Sequence, residues 1–291
     1  MRISVVVPNF NSAETITEQL QALARQQCDH WWEVIVADNG STDISRDVVR
    51  IYQSRMPQLR LIDASDRRGA SHARNAGAQA ALGNALIFTD ADDMVAPGWL
   101  AAMARALEDH VFVACRYDFA RLSPARVAKG RGNSQANGLQ HLAFLPFGYA
   151  GGGSLGIRRD THVSVGGFDE NIKFCEDIDY CLRVQQQGVS LTFVPDALVY
   201  CRHPSTFRAI YKQARNWAQF EELLFKKYQK PGVNELWRWK AYCLECVVYA
   251  ARIPRLLSTP EGRVLCAWRI GRQMGFLRGS LKYGVPPITG C

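Results

Sequence analysis

Three carboxylates stand within four residues at Asp90-Ala91-Asp92-Asp93, directly after the apolar run Ala85-Leu86-Ile87-Phe88. Carboxylates this close repel one another unless positive charge sits among them. Alternate residues at a strand end, Asp90 and Asp92, can converge on one hard divalent cation, Mg²⁺ or Mn²⁺, which would neutralise a diphosphate. A local reading competes with this one: Asp93 or a neighbour caps a helix that starts near Pro97. A second polar cluster, Asp38-Asn39-Gly40-Ser41-Thr42-Asp43, follows Val34-Ile35-Val36-Ala37. Ser41 or Thr42 as a helix cap, with Asp43 in the first turn, explains its tail. Asp38 and Asn39 remain, and they could read the polar edge of a base. A third cluster, Glu176-Asp177-Ile178-Asp179, offers either acid–base chemistry or carboxylates that merely favour a helix N-terminus, worth about 0.3–1 kcal/mol. Arg74 and Asn75 fall on the first turns of a helix, where a solvated face competes with a ligand contact. His203 follows a strand-like run and is read either as structural or as a metal ligand.

The elements that would position these groups alternate. Apolar runs at 3–7, 34–37, 59–62 and 85–88 are separated by helical patterns at about 13–26, 42–54 and 71–82. Continuous Val/Ile runs are what strands buried on both faces look like, and connecting helices make such a sheet parallel. Ligands then bind beyond the carboxyl ends of the strands, where Pro8-Asn9-Phe10-Asn11 and the first two carboxylate clusters lie. Further on, Val111–Cys115 reads as a strand, and the Gly- and Arg-containing stretch 121–138 as an exposed loop. Gly151-Gly152-Gly153-Ser154 and the turn Gly166-Gly167-Phe168-Asp169 come next, then a helix from about Glu176 to Gly188 and strand-like runs at 190–194 and 197–201. From about Ser205 to Gly279 the pattern is helical, with breaks expected at Pro231-Gly232, Pro254 and Pro260.

At 291 residues, 47% apolar and 21% charged, the chain can bury a sizeable core. The expected division is two halves of one domain over 1–110 and 111–204 and a basic helical extension over 205–291. No apolar stretch approaches the roughly 20 residues of a bilayer span. The immediate start of the first strand leaves no room for a signal peptide and points to the cytoplasm. Nine scattered cysteines suit a reducing compartment, and Cys243 with Cys246 has metal-like spacing without a second pair.

Residues 202–291 hold sixteen of the 35 Lys and Arg but only five of the 27 Asp and Glu, a surplus of eleven positive charges; the first 201 residues carry a deficit of three. Trp237, Trp239, Trp268 and Phe276 interleave with Arg238, Lys240, Arg255, Arg269, Arg272, Arg278 and Lys282. Either this region lies on an anionic membrane surface, at the inner face of the cell membrane, or its aromatics pack on the preceding domain or against a second subunit in a homodimer. No nucleic-acid partner is expected.

The order Val5–Asn11, Asp38–Asp43, Ala73-Arg74-Asn75-Ala76-Gly77, Thr89–Asp93, Gly166–Glu170 and Glu176–Asp179 resembles the family 2 glycosyltransferases of GT-A fold over about residues 3–220. The resemblance implies an α/β fold with a mostly parallel central sheet flanked by helices, a Rossmann-like nucleotide-sugar-binding half over 1–110, an acceptor-binding and catalytic half over 111–204, and a C-terminal helical extension over 205–291. It implies nucleotide-sugar contacts from Pro8, Asn9, Phe10, Asp38, Asn39, Arg74, Asn75, Asp90, Ala91 and Asp92, with Phe10 stacking on the base. Asp90 and Asp92 resemble the D-x-D pair, with Mg²⁺ or Mn²⁺ as cofactor. Asp177 resembles the family's catalytic base, Glu176 being the alternative, and His203 resembles a histidine that joins Asp92 and Asp90 at the metal or diphosphate. Gln213-Ala214-Arg215-Asn216-Trp217 is similar to the Q-x-x-R-W of processive synthases, but Asn216 replaces the Arg, which favours single-sugar transfer. The implied reaction is inverting transfer from a UDP-, GDP- or dTDP-sugar to a hydroxyl of a glycan, lipid-linked intermediate or small molecule. A nucleotide-sugar-binding protein without activity and a sugar nucleotidyltransferase are the alternatives; the latter wants a Gly-rich basic loop after the first strand. A dinucleotide oxidoreductase lacks its G-x-G-x-x-G.

Overall fold

Val5, Val6, Val7, Val34, Ile35 and Val36 have no solvent-accessible surface, so the strands that carry them are covered on both faces. The computed structural model describes residues 1–228 and 235–289. The chain forms two compact units: residues 1–118, 134–140 and 149–202 make the first, and residues 119–133, 141–148 and 203–291 the second.

The first unit is built on an eight-stranded sheet. In chain order its elements are β1 (Arg2–Asn9), α1 (Ile16–Ala24), β2 (Trp31–Asp38), α2 (Ser45–Gln53), β3 (Leu59–Asp63), α3 (Ala70–Ala80), β4 (Ala85–Phe88), β5 (Met94–Val95), α4 (Trp99–Asp109) and β6 (Phe112–Asp118). The second unit's α5 (Ala125–Arg131) intervenes, and the first resumes with β7 (Leu155–Arg158), α6 (Arg159–Ser164), α7 (Glu176–Gln186) and β8 (Leu191–Tyr200). The strand order is β3-β2-β1-β4-β7-β6-β8-β5. β1 pairs in parallel with β2 and β4, as β2 does with β3, in agreement with the alternating sequence pattern. β7 then runs antiparallel between β4 and β6, so the sheet is mixed beyond its first four strands. The two runs expected at 190–194 and 197–201 are one strand, paired in parallel with β6 across a register shift at Cys115/Arg116. A core of Val6, Ile35, Phe88, Phe112, Leu155, Phe168 and Tyr180 joins the sheet to α7.

Helix starts differ from expectation in ways that matter for the site. α2 begins at Ser45 with Ile44 in the cap position, so neither Ser41 nor Thr42 caps it; Asp43 instead accepts from the Ser45 N–H at 3.0 Å. α4 begins at Trp99 behind Gly98, and buried Asp93 caps nothing.

The second unit contains α5 and three long helices, α8 (Phe207–Tyr228), α9 (Glu235–Leu257) and α10 (Pro260–Tyr283). The stretch read as an exposed loop thus holds a helix. Pro254 lies inside α9 and does not break it, Pro260 opens α10, and the break expected at Pro231-Gly232 lies outside the described residues. α10 presents Gly271, Gly275 and Gly279 to α8 at one-turn spacing. A Cβ on Gly275 would stand 2.3 Å from the Arg215 carbonyl oxygen, so the two backbones meet where any side chain would collide. Phe225, Tyr242 and Phe276 fill the core beside this contact.

Candidate active site

The carboxyl ends of β1, β2 and β4 surround an open cavity of about 700 Å³ lined by Pro8, Asn9, Phe10, Asn39, Arg68, Arg74, Asp90, Ala91 and Asp92, among others. Phe10 is 52% exposed at its edge, with the Arg68 guanidinium 4.8 Å from its ring centroid. Arg68 is fixed in turn by the carbonyls of Asn39 and Gly40, at 2.8 and 3.0 Å. Asn39 is buried; its amide donates to the Ala64 and Arg67 carbonyls and its oxygen accepts from the Gly69 N–H. It shapes the loop that carries Arg68. Asp38 has no exposed surface: its carboxylate accepts from Asn9 Nδ2 at 2.7 Å and the Ser41 N–H at 3.1 Å, and lies 3.6 Å from Arg46. Of the pair that sequence offered to a base, Asn39 lines the cavity and Asp38 holds its frame.

Arg74 joins two of the acidic motifs. Its side chain is 5% exposed, contrary to a solvated helix face, and donates to Asp90 Oδ1 at 2.7 Å and to Glu176 Oε1 at 2.8 Å. Burial opposes its charge, but the carboxylates of Asp90 and Glu176 prevail and hold it firmly protonated. Asn75 faces away from the cavity, where it accepts from the Phe168 N–H and donates to the Phe168 carbonyl and Glu170.

Asp92 is exposed to the cavity; desolvation first and the neighbouring Asp90 second push its carboxyl up to about 6. Buried Asp93 is raised further, by burial and then by Asp92 and Asp90, and accepts from Cys201 Sγ. Gln19 Nε2 fixes the start of the cluster through Thr89 Oγ1 and the Asp90 carbonyl, both at 2.9 Å. Arg202 donates to the Asp92 carbonyl and pairs with Glu18.

α7 begins behind Cys175, a non-glycine residue at φ 62°, in the left-handed region that side chains seldom adopt. This turn delivers Glu176 to Arg74 and sends Asp177 toward Gly152, whose N–H donates to Asp177 Oδ2 at 3.1 Å. The Ile178 N–H donates to Oδ1 at 2.9 Å. Burial, and then the Glu176 charge, raise Asp177 to about 7 against these bonds and Arg74. The next glycine closes the arrangement: a Cβ on Gly153 would lie 2.7 Å from Asp90 Oδ2. Asp179 is fully buried against Arg183 at 2.7 Å and is structural.

Among the described residues no three His, Cys, Asp or Glu side chains form a ready-made ion cage. His203 belongs to the second unit. It stacks on Phe119 at 3.8 Å, and burial followed by Arg131 lowers it to about 4, leaving a neutral imidazole at pH 7. Gln19, Arg68 and Arg202 carry no motif signature in the sequence, and nothing in the Gly151–Gly153 run itself shows its role beside Asp90 and Asp177.

Residues 4–162 match the family described as Glycosyl transferase family 2, more than half of the chain. The chain belongs to glycosyl transferase family 2. A second description, Glycosyl transferase family group 2, covers residues 85–270. Among family 2 relatives, glycosyltransferase AglE of Haloferax volcanii is 26% identical over 72% of this chain and 70% of its own length. Validoxylamine A glucosyltransferase of Streptomyces hygroscopicus subsp. jinggangensis is 35% identical over 42% of this chain. The chain spans 30% of that relative's length and 28% of uncharacterized glycosyltransferase YfnE of Bacillus subtilis. In fold it is similar to a mannosyltransferase from Pyrobaculum calidifontis solved with GDP-Man and Mn²⁺, with a TM-score of 0.64 at 22% identity over 97% of this chain and 86% of that one. It is also similar to S. aureus TarS residues 1–349 in complex with UDP-GlcNAc, with a TM-score of 0.58 at 19% identity over 98% of this chain and 93% of that one. The α/β sheet with flanking helices is of GT-A type.

Proposed function

We propose that this chain transfers one sugar from a nucleotide-diphosphate sugar to a hydroxyl of a glycan, a lipid-linked intermediate or a metabolite, by direct displacement with inversion. A UDP sugar is the first candidate, before GDP and dTDP sugars. The observation that carries this reading is Arg74, bonded at once to Asp90 and to Glu176, the neighbour of Asp177. It ties a strand-end carboxylate pair suited to a diphosphate to a carboxylate whose pKa of about 7 suits a general base at neutral pH.

On this reading the base of the donor rests against Phe10, between Pro8 and the loop set by Asn39. The acceptor hydroxyl gives its proton to Asp177 as its oxygen bonds to the anomeric carbon. The bond from that carbon to the diphosphate oxygen breaks, and its electron pair leaves with the nucleotide. Backbone N–H groups of Gly152 and Ile178 hold the Asp177 carboxylate in place through the transfer. Asp90 and Asp92 offer hard oxygen ligands, and desolvation and then the Asp90 charge push Asp92 up to about 6 despite Arg202 and Arg74. That fits Mg²⁺ or Mn²⁺, which proteins commonly bind through one or two carboxylates plus substrate phosphates. Such an ion supplies neutralisation of the departing diphosphate. His203, neutral with a lone pair to give, enters the ligand set on sequence grounds.

The test is a saturation-transfer NMR screen of UDP, GDP and dTDP sugars, with donor cleavage followed in the same samples. We expect one nucleotide class to bind and its sugar to be released slowly to water, with release lost in EDTA. Tight donor binding without cleavage under any acceptor would make the chain a binding protein. Synthesis of a sugar nucleotide from a nucleoside triphosphate and a sugar phosphate would make it a nucleotidyltransferase.

A further inference from the structure

The second unit carries an apolar surface that its own packing does not use. One face of α9 joins the core through Tyr242, whose hydroxyl donates to the Gln273 carbonyl of α10 at 2.9 Å. Another face points to solvent: Leu236, Leu244 and Val247 are 66%, 64% and 65% exposed, and Trp237 and Val248 stand beside them. Their spacing, with Cys243 and Ala251, follows the helical repeat and makes one stripe. A shallow groove of about 190 Å³, which Ile253, Ile270 and Met274 help to line, continues the apolar surface onto α10. Exposed Lys240, Arg252 and Arg255 stand along the same helix.

These are not the residues that sequence offered for the purpose. Phe276 is buried, Trp239 packs on the core, and Trp268 lies under the Arg131 guanidinium at 3.3 Å. Of the aromatics only Trp237 is on the stripe. An exposed apolar patch of this kind marks a binding surface, and charge selects the occupant. A second copy meeting it about a two-fold axis would oppose two regions that each carry a surplus of eleven positive charges. A surface of anionic headgroups instead turns the same charge into attraction, and Lys and Arg stems can lie along apolar surface while their heads meet phosphate. No helix among the described residues is long and apolar enough to cross a membrane, so the contact is one of lying on it.

We propose that α9 docks on an anionic bilayer, with Leu236, Leu244 and Val247 below the phosphates and Lys240, Arg252 and Arg255 among them. The full chain is sedimented with neutral phosphatidylcholine vesicles and with vesicles containing phosphatidylglycerol, at about 0.1 M and about 1 M salt. Binding should require the anionic lipid and fall at high salt. Replacing Lys240, Arg252 and Arg255 together by Ala should weaken it roughly 100-fold, about fivefold per cation. Leu244→Ser with Val247→Ser should weaken it at both salt concentrations. All five positions are exposed, so circular dichroism melting and donor cleavage should match the parent chain; cleavage reports the first unit and separates failure of this proposal from failure of the transfer reading. Equal pelleting with neutral vesicles, or none with either, overturns the proposal. So does a dimer in sedimentation velocity that the two serine substitutions dissolve, which would assign the stripe to a second copy.

Discussion

Asp38 and Asp177 are both carboxylates in motifs that sequence marked for function, and their surroundings differ in kind. Asp38 accepts from an amide and a backbone N–H and has a guanidinium 3.6 Å away. Asp177 has two backbone donors but also burial and the neighbouring Glu176 charge, and its carboxyl rises to about 7. A carboxylate with its bonds complete is architecture. One that burial and a neighbouring negative charge hold above the usual carboxylate range is ready for a proton or a cation, as groups at functional sites tend to be.

The effect on transfer should be large at Asp177. Asp177→Asn keeps the shape and cannot accept the proton, so transfer should fall about 10²–10⁴-fold with donor affinity unchanged. Thermal stability should hold or rise slightly, since a poorly compensated charge is removed. Loss of transfer in Glu176→Gln with activity retained in Asp177→Asn would move the base by one residue. Asp92→Asn, like EDTA, should abolish donor cleavage; full cleavage in EDTA would remove the cation from the reading. Asp38→Ala should do the opposite of Asp177→Asn, losing about 2–3 kcal/mol through the donors it strands, read as a lower urea midpoint. An unchanged midpoint with weakened nucleotide binding would return Asp38 to the ligand.

The smallest effect is in pH. A carboxyl raised above its unfolded value keeps a proton in the folded chain that the unfolded chain has already lost, so its contribution to stability is full below about pH 4 and disappears as pH passes through about 7. Melting temperature without ligand should therefore slope down from pH 5 to pH 8, and Asp177→Asn should flatten the slope. Transfer should run the other way and increase through pH 7 as the base loses its proton. A flat rate profile between pH 6 and 8 would count against Asp177.

Much of this was legible in the chain. Val5-Val6-Val7 and Val34-Ile35-Val36 announced doubly covered strands because burial on both faces removes alternation. The motif order announced the family. β7 was not legible, since Leu155-Gly156-Ile157-Arg158 is four residues long with a glycine inside, and two-residue β5 has no period to show. Pro254 misled because its cost depends on surroundings: the carbonyl it leaves without a partner, that of Ala250, belongs to an exposed residue that water can reach. The Arg74 bridge spans 102 residues in sequence to Glu176, and no local pattern encodes such a separation. The left-handed turn at Cys175 was equally silent, because nothing in a cysteine advertises φ 62°.

The glycine ladder of α10 has a mechanical meaning. Gly271, Gly275 and Gly279 each sit where a single added carbon would strike α8, two of them against the carbonyls of Tyr211 and Arg215. Sliding the helix by one residue would bring Arg272, Phe276 and Ser280 into those three slots together. Those side chains would meet the backbone of α8, so the register of the pair is set by backbone contact rather than by side chains that can change rotamer.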